Sequence, residues 1–204
     1  GRIMAAADEV KQKVYGDRIV LSAPLHISNH CGSECLYCAN RKSNKAVERK
    51  YMTSPEMREA ALKLIRQGHK RIFLVSGQLP NADIEYLAEA ISILYTAFDG
   101  VGEVHSVNVN VGALESHEYA ALLESYVGTV LIYQDTYHEA SYRAAHISGP
   151  KSDYYARLNA ADVAFQAGVP DVGGGLMLGL GPWQYDLLGI VQHQAHLLRA
   201  YDTG

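Results

Sequence analysis

Several features are scarce in this sequence, and each absence excludes a class of protein. No apolar run approaches the roughly 18 to 20 residues that cross a bilayer, and the first residues lack a charged-then-apolar leader pattern. Basic residues are not in excess, because the formal net charge is -4 and acids and bases are interspersed. We therefore expect a cytoplasmic protein that binds neither nucleic acid nor membranes and acts on small molecules.

Cysteine is rare as well, but its three copies lie within eight residues, at Cys31, Cys35 and Cys38. An odd and tightly bunched set is a poor disulfide framework and a good framework for a metal or an iron–sulfur cluster. We expect these thiols to be reduced in their native compartment.

Strand-like and helical segments alternate along the chain, whose composition of 48% hydrophobic and 20% charged residues is ordinary for a globular protein. Helices are predicted at residues 2–15, 57–67, 83–98, 116–125, 152–167 and 184–200, and strands at 24–29, 71–75, 104–111, 129–133 and 169–178. Such alternation implies a parallel sheet with right-handed crossovers. We predict an α/β fold, a single domain over residues 1–204 that forms a partial parallel TIM-type barrel. The barrel is expected to be incomplete at its C-terminal end, because eight strand–helix units usually take about 250 residues.

The cysteines form a CxxxCxxC spacing on the loop after the first predicted strand, and a parallel barrel carries its chemistry at that end of its strands. Three thiolates on one short loop can bind three irons of a four-iron cluster and leave the fourth iron open. Tyr37, between the last two cysteines, offers a flat face for an adenine ring. The alternative is a structural zinc site completed by His26 or His30, although structural zinc usually pairs a CxxC knuckle with a distant ligand pair.

This spacing, with an aromatic residue before the last cysteine, resembles the signature of the radical S-adenosylmethionine superfamily. In that superfamily the open iron of a 4Fe-4S cluster binds S-adenosyl-L-methionine, and one electron cleaves it to methionine and a 5'-deoxyadenosyl radical. Residues 24–44, 107–111, 133–138 and 148–154 further resemble the tyrosine lyases that mature FeFe-hydrogenase, also called 2-iminoacetate synthases. The thiamine-pathway tyrosine lyase shares the cysteine loop. The asparagine repeat at residues 107–111 and the Gly-Pro-Lys run at residues 149–151 look more like the hydrogenase enzyme.

The resemblance implies a lyase that cleaves the Cα–Cβ bond of L-tyrosine to p-cresol and dehydroglycine. A 4Fe-4S cluster, S-adenosyl-L-methionine and an electron donor such as a ferredoxin or flavodoxin are implied with it. In the hydrogenase enzyme a second cluster on a C-terminal extension performs a later step, and these 204 residues hold no fourth cysteine for it. Two alternatives stay open: a thiamine-pathway-type lyase or one for another aromatic amino acid, and a non-catalytic iron–sulfur scaffold that binds a maturation partner.

By matching position, the resemblance assigns the three cysteines as metal ligands and two further groups of residues. The catalytic candidates follow the fourth predicted strand and are expected at the barrel mouth: Gln134, Asp135, Tyr137 and His138. The cofactor-binding candidates are Tyr37, Gly77, Gln78, Asn108, Asn110 and Arg157. We predict that Asn108 and Gln134 face one cavity with the cysteine loop. For Tyr137 and His138, the alternative is that they cap a helix or fill the rim of the barrel.

The sequence also departs from the family. Where the family usually has Gly-Glu, whose carboxylate accepts the ammonium of S-adenosyl-L-methionine, this chain has Gly77-Gln78, which keeps an oxygen acceptor but loses the charge. His26 stands where related enzymes have tyrosine, and Ala39-Asn40 where they have glycine and an aromatic residue. His193 and His196 form an HxxH pair that we interpret as a solvated helix face.

Overall fold

Parallel strands form one sheet in the computed structural model, which describes residues 1–78 and 84–202. The strands of this sheet are β1 (Ala23–Ser28), β2 (Arg71–Ser76), β3 (Ser106–Asn110), β4 (Val130–Asp135) and β5 (Val172–Leu176), paired in the order β1-β2-β3-β4-β5. The helices are α1 (Arg2–Tyr15), α2 (Ser54–Arg66), α3 (Ile84–Thr96), α4 (Ser116–Glu124), α5 (Glu139–Ala145), α6 (Tyr154–Gln166) and α7 (Trp183–Tyr201). This arrangement confirms the predicted α/β fold with a partial parallel barrel.

The predicted elements are found with shifts of a few residues at their ends, and one helix was not expected. The third helix was predicted from Asp83, which lies outside the described residues. The seven-residue helix α5 follows β4 and is absent from the sequence prediction, as is a 3-10 turn at Pro150–Ser152. Within the described ranges, no helix is both long and apolar enough to span a membrane.

The sheet has two faces that differ in burial, because side chains alternate along each strand. On the helix-facing side, Val107 and Val109 of β3 are fully buried together with Leu74 of β2. Asn108 and Asn110 alternate with these valines and lie on the opposite side, called the inner face below. Each large apolar side chain on the helix-facing side contributes roughly 1.5–3 kcal/mol when buried, so this side stabilises the fold.

The carboxyl ends of β1 and β2 lie side by side, because Ser28 at the end of β1 is paired with Ser76 at the end of β2. The cysteine loop follows β1 and Gly77 follows β2 at this edge of the sheet. The backbone of Gly77 passes so close to the loop that a Cβ atom would lie 1.9 Å from the carbonyl oxygen of His30. The absence of a side chain at Gly77 is therefore what allows the two loops to meet.

We expect Gly77→Ala to lower the free energy of unfolding by about 1 to 3 kcal/mol, because the new methyl group meets backbone atoms that have no rotamer to escape into. Urea denaturation measures the stability, and hydrogen exchange of residues 30–38 reports the order of the loop. Gly174→Ala is the matched control, because its Cβ would meet the end of the flexible Gln194 side chain at 3.2 Å. Equal losses in the two variants would contradict the interpretation.

Candidate active site

A cavity of about 440 Å³ opens at the carboxyl ends of the strands, and all three cysteines line it. The cysteines are free thiols. Other lining residues come from the ends of the neighbouring strands, from α4 and α6 and from the segment after α5: Tyr37, Ser76, Gly77, Gln78, Asn110, Gly112, Glu118, Lys151 and Arg157. The structure therefore brings together the cysteine loop and most of the predicted cofactor-binding residues. The cavity volume is in the range of small-molecule sites.

Backbone hydrogen bonds to distant segments hold the cysteine loop. The Gly32 N–H donates to the Gln78 carbonyl oxygen at 2.7 Å, which ties the loop to the end of β2. The Leu36 N–H donates to the Ala145 carbonyl oxygen at 2.9 Å, which ties it to the end of α5. The loop is thus tied by backbone groups to the segment that follows β2 and to the last residue of α5.

Arg49 fastens the residues on either side of the cysteines. Its Nη1 group donates to the carbonyl oxygens of Asn29 and Asn40 at 2.6 and 3.0 Å. Its Nη2 group donates to the carbonyl oxygens of Arg41 and Asn44 at 2.7 and 3.2 Å. A single planar guanidinium therefore satisfies four backbone acceptors that would otherwise need water.

The hydroxyl of Tyr37 enters a polar cluster under the loop. It donates to Asp135 Oδ2 at 3.0 Å and lies 2.7 Å from His146 Nε2. The Lys151 ammonium forms an ion pair with the same carboxylate oxygen and lies 3.4 Å from the Tyr37 hydroxyl. Asp135 and His146 are buried, whereas Tyr37 is 37% exposed. The ring is therefore held at its polar end and presents a free surface beside the cysteines.

The electrostatics of this cluster favour an ionised Asp135. Burial would raise the pKa of its carboxyl, but the His146 hydrogen bond and the charge of Lys151 outweigh burial and lower the pKa to about 2. Burial raises the pKa of the Cys35 thiol to about 11, against a lowering by Lys151. Burial, followed by the charge of Asp135, also raises the pKa of Tyr37 well above its usual value.

Arg157 is buried, with 4% of its surface exposed, although a charged residue on a helix is usually exposed. Its Nε donates to the Tyr133 carbonyl oxygen at 2.8 Å and its Nη1 to the Val111 carbonyl oxygen at 3.1 Å. None of the ion pairs among the described residues includes it, and the residue lines both the cysteine cavity and the narrow space between the sheet and α7. Its remaining N–H groups are suited to an anionic group of a ligand.

The expectation that Gln134 shares a cavity with Asn108 and the cysteines is wrong. Gln134 lies on the helix-facing side, in a narrow space that also includes Ala161 of α6 and His193 of α7. The cause is that β4 continues through Asp135, so the side chains at 133, 134 and 135 still alternate between faces. Gln134 is 3% exposed, and neither atom of its amide has a hydrogen-bond partner among the described residues.

Tyr137 and His138 also lie away from the cysteine cavity, contrary to their predicted place at its mouth. The Tyr137 hydroxyl lies 2.8 Å from His193 Nδ1 on α7. His138 accepts a hydrogen bond from the Ser141 N–H at 3.3 Å and so caps α5, which agrees with the helix-capping alternative. The interpretation of the HxxH pair as a solvated helix face holds for His196 of α7, which is exposed. It does not hold for His193, which is partly buried.

Asn108 lies on the inner face as predicted, but it is engaged within the sheet. Its Oδ1 accepts hydrogen bonds from the Thr129 N–H and the Ser106 hydroxyl, both at 3.0 Å. Asn110, two residues further along β3, lines the cavity. Of the two asparagines, Asn110 is therefore the one placed to meet a ligand.

The zinc alternative finds no support in the geometry. In the part of the chain that the structure describes, no three His, Cys, Asp or Glu side chains converge on the position of a single metal ion. His30, one proposed fourth ligand, stacks on Tyr51 with ring centroids 4.3 Å apart. A cluster does not require such convergence, because each thiolate binds its own iron.

Sequence reasoning missed the groups that support the loop: Ser33, Arg49, His146 and Lys151. Lys151 lies in the Gly-Pro-Lys run that was noted for its resemblance, and nothing in the run indicated its partner. Arg49 lies in a polar stretch without periodicity. Its role depends on hydrogen bonds that it donates to backbone carbonyl oxygens, which no residue pattern encodes.

Comparison with known proteins decides the family. The family model described as Radical SAM superfamily matches residues 25–184. The matched region includes the three cysteines, Arg157 and, apart from the first residues of β1, all five strands. The chain belongs to the radical SAM superfamily. Enzymes of this superfamily use a 4Fe-4S cluster and S-adenosyl-L-methionine.

Similar proteins extend over nearly the whole chain. It is 28% identical to 2-iminoacetate synthase of Escherichia coli (strain K12) over 96% of the chain and 50% of that protein. It is 29% identical to the [FeFe] hydrogenase maturase subunit HydE of Thermotoga maritima over 85% of the chain and 47% of that protein. The crystal structure of the maturase HydG from Carboxydothermus hydrogenoformans superposes with a TM-score of 0.90 at 36% identity, covering 98% of this chain and 46% of that one. The chain thus spans about half the length of the curated relatives it matches.

The residues present fit the cofactors of the superfamily. The thiols of Cys31, Cys35 and Cys38 are unpaired, line one cavity and are free to bind the irons of a cluster. Beside them the same cavity has the flat ring of Tyr37 and the buried cation of Arg157, which complement an aromatic base and a carboxylate. The cysteines would hold the cluster, and the remaining walls would surround S-adenosyl-L-methionine.

We expect Arg49→Met to lower the stability of the protein by about 2 to 4 kcal/mol and to reduce the iron content after anaerobic reconstitution. The reason is that four loop carbonyls lose a charged donor at once. Thermal unfolding and iron analysis measure the two effects. Arg58→Met is the matched control, because Arg58 donates to one exposed carbonyl, that of Thr96. Full iron content in Arg49→Met would contradict the role of the guanidinium.

Proposed function

We propose that the protein is a tyrosine lyase, which cleaves the Cα–Cβ bond of L-tyrosine to p-cresol and dehydroglycine as in FeFe-hydrogenase maturation. The observation that carries the proposal is the likeness to 2-iminoacetate synthase and to HydG over 96% and 98% of the chain, with the cysteine cavity inside the matched region. A ferredoxin or flavodoxin would supply the electron. We place the activity in the cytoplasm.

The fourth strand and the segment after it favour this lyase over other members of the superfamily. Two stretches resemble the tyrosine lyases, residues 133–138 and 148–154, and each contributes contacts to the cysteine loop: Asp135 from the first, and Ser148 and Lys151 from the second. Asp135 and Lys151 belong to these two stretches and meet in an ion pair beneath Tyr37. The chain is also similar to the maturase subunit HydE, over a smaller part of its length. This second similarity is the reason that the substrate needs a direct test.

The chain's own residues would bind and orient the ligands. When bound, the cluster and S-adenosyl-L-methionine supply the hydrogen-atom abstraction that begins carbon–carbon cleavage. Arg157 offers its free N–H groups to a carboxylate, because its other donors are fixed on strand carbonyls. Asn110 adds an amide to the wall of the cavity, and Tyr133 lies on the same inner face of the sheet.

Anaerobically reconstituted protein with dithionite, S-adenosyl-L-methionine and L-tyrosine should produce both 5'-deoxyadenosine and p-cresol. Liquid chromatography with mass spectrometry measures the two products. Cys35→Ala should produce neither, because the cluster loses one of its three ligands. If 5'-deoxyadenosine forms without p-cresol, the assay is repeated with tryptophan or another aromatic amino acid in place of L-tyrosine. Consumption of that amino acid would assign a different substrate. Absence of both products in protein that carries the cluster would favour the scaffold alternative.

Gln78→Glu should tighten the binding of S-adenosyl-L-methionine by about tenfold or less, because a carboxylate accepts a hydrogen bond from an ammonium group more strongly than an amide does. Gln78 lines the cavity, and its backbone carbonyl, which holds Gly32, is unchanged by this isosteric substitution. Calorimetry on the reconstituted protein measures the affinity. Gln67→Glu, an exposed substitution, controls for the change in net charge. Equal or weaker binding would show that Gln78 is not the counterpart of the family's glutamate.

A further inference from the structure

The ion pair between Lys151 and Asp135 lies beside the cysteines, and neither residue is one of the three cysteine ligands. The Lys151 side chain lines the cavity together with Cys35, and 17% of it is exposed. The Asp135 carboxylate is 6% exposed and lies behind the Tyr37 hydroxyl. Two opposite charges are therefore fixed next to Cys35, and the Asp135 side chain is more deeply buried than that of Lys151.

The position of Lys151 is set by its own backbone. Its N–H donates to the Ser33 hydroxyl, between the first two cysteines, at 3.0 Å, and its carbonyl oxygen accepts from the Tyr142 hydroxyl at 2.7 Å. The segment touches the cysteine loop so closely that a Cβ on Gly149 would lie 2.3 Å from the Gly32 carbonyl oxygen. The lysine therefore cannot withdraw from the cysteines without breaking backbone contacts.

Asp135 is fixed as firmly, and its backbone is strained. It has a φ of 65°, in the left-handed region that a residue with a side chain rarely adopts. Such a conformation costs of order 1–3 kcal/mol and persists where the surroundings enforce it, often at functional sites. Here it coincides with an irregularity in the pairing of β4 with β5, and it leaves the carboxylate directed at Lys151, Tyr37 and His146.

A fixed charge near a thiolate-bound cluster acts on the electron that the cluster accepts. Reduction adds negative charge, so a nearby cation favours the reduced form and a nearby anion disfavours it, and reduction potentials follow local charge and hydrogen bonding. The interaction is strong where burial keeps the effective dielectric constant low.

We propose that the Lys151–Asp135 ion pair sets the reduction potential of the cluster held by the three cysteines, with Lys151 favouring the reduced cluster and Asp135 opposing it. Both are positioning residues, because they act on the cluster through space and through the loop. The proposal rests on the cluster common to the superfamily and is independent of the choice of tyrosine as substrate.

Redox titration of the reconstituted protein, followed by electron paramagnetic resonance of the reduced cluster in the absence of any amino acid, tests the proposal. Lys151→Met should shift the midpoint potential to more negative values, and Asp135→Asn should shift it to more positive values. The double variant should return toward the wild-type potential, and Lys151→Arg, which keeps the charge, should stay close to it. Lys63→Met removes an exposed lysine paired with Glu59 and should cause no shift.

A purely structural brace predicts a different pattern. The two single variants would then change the potential in the same direction or leave it unchanged, and either result would overturn the proposal. Loss of the cluster in both Lys151→Met and Asp135→Asn would also overturn it and assign the pair to holding the loop. Iron and sulfide content, measured on each variant, separates these outcomes from a failure of tyrosine cleavage.

Discussion

The cysteine loop has almost no secondary structure of its own, so its shape depends on hydrogen bonds made by groups far away in the sequence. The carbonyl oxygens at the ends of β2 and α5 accept its backbone N–H groups, and Arg49 gathers the carbonyl oxygens around it. An isolated peptide with the same cysteines would lack these partners. The sheet therefore acts on the site by delivering backbone acceptors to one edge, which is possible because all strands are parallel.

The strands and most helices follow from patterns that are local in the sequence. Buried Val107 and Val109 alternate with polar neighbours, and Thr53 with Glu56 marks the start of α2 by a capping box. The short helix α5 is absent from the sequence prediction because seven residues are too few to show a helical period. Its stability comes from the His138 cap and from Tyr142, which is fully buried, and neither contribution can be read from propensity.

The part of the site that depends on the spacing of residues along the chain was predictable. The part that depends on which face of the sheet a side chain lies on was not. Three cysteines on one loop remain on one loop in any fold, so their common cavity could be expected. Gln134 and Asp135 are adjacent, and a single residue decides which of them faces α6 and α7 and which meets the loop. The end of β4 would have to be known to within one residue, which sequence patterns do not provide.

The alternation on β4 and β5 also decides where the ring of Tyr133 lies. Tyr133 on the inner face pairs with Gly175, and a Cβ on that glycine would lie 2.4 Å from the tyrosine ring. The ring occupies space that the neighbouring strand leaves free. A side chain at position 175 would displace the ring toward β3, so a residue outside the lining of the cysteine cavity still decides where an aromatic group of the inner face lies.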